Sequence, residues 1–483
     1  MKNFELFKKL QHDFEKAQDV VVHDFFISKT KAKIVYIENM CNKQLINSSV
    51  LAPLQKQEKL PKDNVTSFLI QNCLSSCGAT KENSLDELSK NLASGYCLVF
   101  IEKEQEAILV PSQGYEKRAI SEPPTSAVVK GPREGFTEDL STNLSLLRRR
   151  IKAPSLVVEK IFIGKETQTS IAILFMKNIA DEAIVCEVKK KLSGIEIDGV
   201  LDSFYIEELL QNRKNTIFKQ IGSSEKPDVV AGKLLEGRIA IVVDGSPIVL
   251  TVPFVFVEDL QSAEDYYSQS SRATFLRIIR MFGILIGIFL PGIYVATQIF
   301  HYRLLPINFL ISLLDTVQGL AFPPLIEILF VLFIFDILNE ASVRMPKHLG
   351  MALSIIGALV LGDTAVQAGL VSPPAILVVA ISGITIYTVP DQVGTMSLVR
   401  LVLTVVGGMA GYYGLLIASV FLFWYMCGIQ SYGAPYLAPY APNISSDKKD
   451  ALIKKPLQQL ITRPKSIPNK NNKRLKTPME NNK

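Results

Sequence analysis

Two hydrophobic patterns divide the chain. Up to about residue 268, apolar positions fall into short alternating runs and into stripes three or four residues apart; from Met281 to Met426 they form long runs broken by a few charges, prolines and glycines. The first pattern predicts the strands and amphipathic helices of a soluble protein. The second predicts membrane helices, which take about 20 apolar residues each. Met281–Phe300 has that length and no formally charged side chain.

In the first part, residues 1–26 read as an amphipathic leader helix followed by the strand-like VVHDFFI. Lys33–Met40 predicts a strand, Val65–Ser76 a helix or buried segment, and Ser84–Ala93 a helix with a serine cap. Tyr96–Ile101 and Ala107–Val110, separated by charged EKEQE, predict a hairpin. The proline- and glycine-rich stretch 121–135 marks a boundary between subdomains. Thr137–Ile151 predicts a helix capped by Thr137. Its acids Glu138 and Asp139 stand at the positive end, Arg148, Arg149 and Arg150 at the negative end, and Leu140, Leu144, Leu147 and Ile151 form the buried stripe. Strands at 156–164, 169–176 and 238–243 alternate with helices at 182–192 and 203–210, and Asp244-Gly245 turns the chain into a last hairpin strand.

In the second part, Tyr302–Leu320 carries Arg303, Pro306 and Asp315 and reads as interfacial. Leu325–Leu338 holds two acids, Glu327 and Asp336, nine positions apart. At 100° per residue they point to opposite sides of a helix. Asp336 and Glu340 share a face, and Glu340 can pair with Arg344. In Leu349–Val371 the small residues Ala358, Gly362, Ala365 and Gly369 fill a helix-packing face. Ile356, Val360, Asp363 and Gln367 lie opposite, and an acid there calls for protein or a wet cavity. Ala375–Val389 is short and reads as re-entrant, while Leu398–Met426 crosses once with tilt or breaks at Gly407-Gly408 or Gly411. Basic residues at Arg272–Arg280, Arg344, Lys347 and the tail favour an even number of crossings with both termini inside: four, or six if the last run splits.

Composition changes this picture little. The 483 residues carry a net charge of +6, much of it in a basic tail at 431–483 that reads as mostly disordered. Six cysteines show no paired framework and no zinc spacing, and no signal-peptide core precedes the soluble part, which places it in the cytoplasm. Gly164-Lys165 lacks the Ser/Thr and the upstream glycine of a phosphate loop, and neither a nucleophile elbow nor a helical metal motif occurs. The expectation is no enzyme, no catalytic residue, no metal, no cofactor and no nucleic acid. The fold expected is an α+β or α/β two-subdomain cytosolic N-terminal region (27–130 and 131–268), followed by an α-helical polytopic transmembrane domain (269–430).

Five blocks together carry a family resemblance: Val128–Ile151 (VVKGPREGFTEDLSTNLSLLRRRI), Leu235–Pro247 (LEGRIAIVVDGSP), Leu290–Ala296 (LPGIYVA), Phe322–Ile328 (FPPLIEI) and Gly362–Pro374 (GDTAVQAGLVSPP). The chain resembles the A subunits of GerA-type spore germinant receptors over Phe25 to Pro442. The resemblance implies a multi-pass protein of the inner spore membrane, in contact with its lipids and assembled with a permease-like B subunit and a lipoprotein C subunit. It also implies response to small nutrients, and homo-oligomerisation around a cation pore that starts germination. Helix 349–371 is the pore-lining candidate, with Val360 as a dry constriction and Asp363 and Gln367 as its polar lining. Glu327 and Asp336 are weaker candidates for cation or subunit contacts. A transporter subunit for the nutrient and a non-conducting scaffold are the competing functions.

Overall fold

The computed structural model describes residues 3–15, 17–61, 64–102, 104–114, 130–344 and 362–475. Its first unit contains helices α1 (Asn3–Asp13), α2 (Val65–Asn72) and α3 (Leu85–Ala93). Its strands are β1 (Val20–Ile27), β2 (Thr30–Ile37), β3 (Thr80–Glu82), β4 (Tyr96–Ile101) and β5 (Ala107–Pro111), ordered β1-β2-β4-β5-β3. The second unit contains α4 (Leu140–Arg150), α5 (Glu182–Ser193), α6 (Ser203–Leu210) and α7 (Pro227–Leu235). Its strands β6 (Leu156–Ile163), β7 (Thr169–Met176), β8 (Gly222–Ser224), β9 (Ile239–Val243) and β10 (Val249–Val252) are ordered β6-β7-β9-β10-β8. Counted from its own first strand, each sheet has the same order. Every neighbouring pair runs antiparallel, so both units are α+β.

Local chemistry sets the helix starts. Asp139, not Thr137, caps α4: its Oδ2 accepts from Thr142 N at 2.6 Å, while the Thr137 amide and hydroxyl are held by Asn143 Oδ1. Asp181 and Asp202 cap α5 and α6 in the same way. Ser84 stands at the N-cap of α3 without a side-chain bond to the helix; Glu82 Oε1 accepts the amide of Ser84 instead. Leu140, Leu144, Leu147 and Ile151 are buried together. Gly245, at φ 86°, makes the β9–β10 turn.

The arginines at the end of α4 go beyond the helix dipole. Arg148 is fully buried and donates from Nε and Nη2 to both oxygens of Asp19 in the first unit, at 2.9 and 2.8 Å across 129 residues. The Gln18 amide donates to Val158 O at 3.0 Å, so the chain entering β1 lies along β6.

The apolar part contains α8 (Ser270–Ile299), α9 (Ile307–Val317), α10 (Pro324–Arg344), α11 (Gly362–Gln367), α12 (Pro373–Ile386) and α13 (Val393–Cys427). Among the described residues, two helical stretches are long and apolar enough to cross a membrane, Ser270–Ile299 and Pro390–Cys427. The second is folded in half. Gly411 is non-helical (φ 61°, ψ −152°), and a Cβ on Gly414 would stand 3.2 Å from Val406 O, eight positions back. Both ends of the hairpin therefore meet one loop: Thr395 Oγ1 donates to Ile217 O at 2.7 Å, and Tyr425 Oη to Asn215 O at 3.3 Å. α8 runs unbroken through Pro291, and Gly292 lies so close to Gly407 that a Cβ there would stand 2.5 Å from Gly292 O.

Basic composition argues for a disordered tail, yet residues 428–475 pack on the second unit and the start of α8. Strands β11 (Gln430–Ser431) and β12 (Ala434–Pro435) pair, and Tyr436 is buried against Phe218, Phe254 and Phe256. The charges do the fastening. Arg463 Nε donates to Leu235 O at 2.7 Å, Lys454 Nζ to Asp265 O at 2.6 Å, and Asp450 receives Arg277 at 3.0 Å. Such long-range pairing leaves no periodic trace in sequence.

Candidate functional site: polar groups among the apolar helices

Three polar positions stand out where α8 and α10 to α13 pack together. At the first turn of α10, Glu327 is fully buried. Its Oε1 accepts from Ser372 N at 2.6 Å and from Ser372 Oγ at 2.7 Å. Ser372 is the N-cap of α12, so the carboxylate sits at the positive end of that helix, where an anion is stabilised.

Asp336 points elsewhere, as the nine-residue spacing requires. Its Oδ1 accepts from Nη2 of Arg400 on α13 at 2.9 Å; Arg400 is 1% exposed, whereas the Asp336 side chain is 43% exposed. Arg400 Nη1 also reaches Ser382 Oγ at 3.4 Å, and Ser382 Oγ donates to Gly287 O at 2.6 Å. One node thus joins α8, α10, α12 and α13. Glu340 accepts from Arg344 Nε at 2.7 Å on the exposed surface.

Asp363 and Gln367 share an exposed face of α11, with Gln367 Nε2 donating to Asp363 Oδ2 at 2.8 Å. Val360 and Ala358 lie outside the described residues. Ala365 packs against the cluster of Val295, Ile328 and Val371. Gly362 has nothing within 4 Å of a Cβ position, and Gly369 follows the helix at φ 67°, its carbonyl accepting from Ala321 N at 3.1 Å. Among the described residues, no group of three His, Cys, Asp or Glu side chains could hold a metal.

The family model described as Bacillus/Clostridium GerA spore germination protein matches residues 8–466. The chain belongs to the GerA family. It is 38% identical to spore germination protein KA of Bacillus subtilis (strain 168), covering 93% of this chain and 84% of that protein. It is 33% identical to the uncharacterized membrane protein YfkQ of the same strain, covering 93% and 88%. A crystal structure of the N-terminal domain of the A subunit of the Bacillus megaterium spore germinant receptor GerK3 aligns at 31% identity. It covers 53% of this chain and 97% of that one, with a TM-score of 0.43. This GerA-family chain has a role in spore germination.

Two sets of residues in this GerA-family chain escaped sequence reading. Arg400 was legible in principle, as a cation inside the long apolar run Leu398–Met426 that needs a buried acid elsewhere. The junction under the helices was not. There Asp265 accepts from Arg277 Nε and Arg280 Nη1, both at 2.9 Å, which hold its carboxyl below the usual range although burial opposes this. Asp259, beside Gln392 and Lys219, is pushed up to about 6 by burial, with Lys219 opposing. Glu258 is buried too, but Arg238 and Lys233 overcome that burial and hold it low.

Proposed function

We propose that the chain is the A subunit of a nutrient-responsive germinant receptor in the inner spore membrane. In this reading it is multi-pass, and several copies surround a nutrient-gated cation pore together with permease-like B and lipoprotein C subunits. The observation that carries the reading is the exposed Asp363–Gln367 pair on α11, beside the apolar cluster around Val371. A polar face in that setting needs water or a second copy to cover it, and an acidic ring favours cations. Six crossings satisfy the even count: α8, α10, the run 349–371, α12 and the two arms of α13. Both α+β units and the C-terminal strap then lie on the core side, with Arg272, Arg277 and Arg280.

The test is cation flux from liposomes carrying the A, B and C subunits. Nutrient-triggered release of monovalent cations is expected, and a flux-free complex that takes up labelled nutrient would point to a transporter instead. Val360→Ala is expected to give cation leak without nutrient, read as spontaneous germination in spores. Unchanged ion retention in that variant removes the helix from the pore.

A further inference from the structure

Glu327 is a carboxylate that the helices leave half satisfied. Ser372 occupies one oxygen; the other, Oε2, is equally buried and has no hydrogen-bond partner among the described residues. The buried Arg400 on α13 does not serve it, being committed to Asp336, nine residues further along α10, and to Ser382. Further polar ends stop short at the same place. Tyr294 and Gln298 stand one turn apart on α8. Tyr294 has Ser372, Gln298 and Glu327 as its polar neighbours. Yet Tyr294 Oη, Gln298 Oε1 and Gln298 Nε2 are all buried and complete no hydrogen bond among the described residues. Around them lie Val295, Ile328, Val371 and Ala375.

Burying a charge in such surroundings is costly unless something pairs with it. We propose that Glu327, Tyr294 and Gln298 bind one monovalent metal cation, of the sodium or potassium class. The donor chemistry selects the ligand. Glu327 Oε2, Tyr294 Oη and Gln298 Oε1 are all oxygens, which suit a hard cation rather than a soft one. One carboxylate balances one positive charge and leaves a divalent ion half neutralised. Water completes the coordination shell, with Gln298 Nε2 donating to one such water. A cavity of about 170 Å³ along Leu290, Ile293, Thr297 and Val378 reaches Tyr294 and Gln298 and gives the ion a route in. The site is separate from the proposed pore lining: Glu327 is buried between helices, whereas Asp363 and Gln367 are exposed. Its occupancy stands whether or not the protein conducts.

The experiment is thermal unfolding of the full chain in detergent, in sodium, potassium or choline chloride at equal ionic strength. Sodium or potassium is expected to raise the Tm saturably over choline. Glu327→Gln keeps the shape, and its Tm is expected to be the same in all three salts. Tyr294→Phe, which removes one oxygen, is expected to weaken the apparent cation affinity about tenfold. Equal Tm values for the unmodified chain in all three salts overturn the proposal, as does cation dependence that persists in Glu327→Gln. A Tm that follows pH but not salt assigns the orphan oxygen to a proton and overturns it too. If Glu327→Gln does not fold, Tyr294→Phe decides: affinity equal to that of the unmodified chain removes the site.

Discussion

The first α+β unit is fastened to the second by one buried ion pair among the described residues, Arg148 on Asp19, beside a half-buried Lys160–Glu38 contact at 3.5 Å, one backbone bond from Gln18 N to Val158 O, and the Lys160 amide on Gln18 Oε1. The second unit is fastened to the helices by a network. Arg277 and Arg280 share Asp265, Arg277 also takes Asp450, and Lys454 bonds the Asp265 carbonyl. The C-terminal strap runs through it all. Both units have the same strand order, so the sheet does not dictate the difference. Coupling lies in charged side chains outside the sheets, and it makes the second unit part of the helical body and the first an appendage on a single bolt.

That contrast can be broken at its narrowest point. Arg148→Ala leaves Asp19 buried and unpaired, and is expected to cost about 3–5 kcal/mol at the joint between units. Early release of the first unit in limited proteolysis measures it. The double variant Asp19→Leu, Arg148→Met is expected to recover most of that stability, because a buried pair often exchanges for apolar groups at little net cost. If Arg148→Ala alone leaves the proteolysis pattern unchanged, the bolt is not what holds the unit.

At the other joint, Arg277→Ala is expected to cost less, about 2 kcal/mol, because Arg280 still serves Asp265 and Asp450 keeps partial access to water. The Tm of the full chain in detergent reads the loss. A cost above that of Arg148→Ala would reverse the ranking of single against shared fastening.

The smallest effect separates the joints by pH. Asp259 is half-buried, and desolvation lifts its carboxyl in the folded state to about 6 from the ordinary 3.8. It therefore binds a proton more readily folded than unfolded. Its contribution to stability is full below pH 3.8 and is lost as pH rises through about 6. Asp259→Asn is expected to flatten the stability profile between those values and to add about 1–2 kcal/mol at neutral pH. A profile as steep as that of the unmodified chain assigns the pH dependence to another group.

Much of the local architecture was legible because it depends on neighbours in sequence. β7 and α6 fall where alternation and stripe placed them, and helical spacing sent Glu327 and Asp336 to different partners. What the pattern missed depends on distance along the chain. Arg148 finds Asp19 across 129 residues and Arg277 finds Asp450 across 173, and neither acid is marked by its own surroundings. The strap read as solvated because eleven basic residues suggest water, whereas the Lys454 and Arg463 side chains bond carbonyls of the second unit and the Lys454 amide donates to Thr274 Oγ1 on α8. Gly411 was one of several glycines able to break the last run, and only packing shows that the chain reverses there.

The reversal at Gly411 has a mechanical meaning. The 213–217 loop, one arm of α13, the corner and the returning arm form a closed circuit. The circuit is pinned at Ile217 and Asn215 and tightened by Arg213 over the Tyr425 ring at 4.5 Å. A circuit of this kind behaves like a pair of tongs. Its tips cannot part within the helices without spreading the handles, and the handles are one five-residue loop of the second unit. A change of angle between the arms is thereby converted into backbone displacement outside the apolar layer, and a partner gripping that loop would work the tongs in reverse.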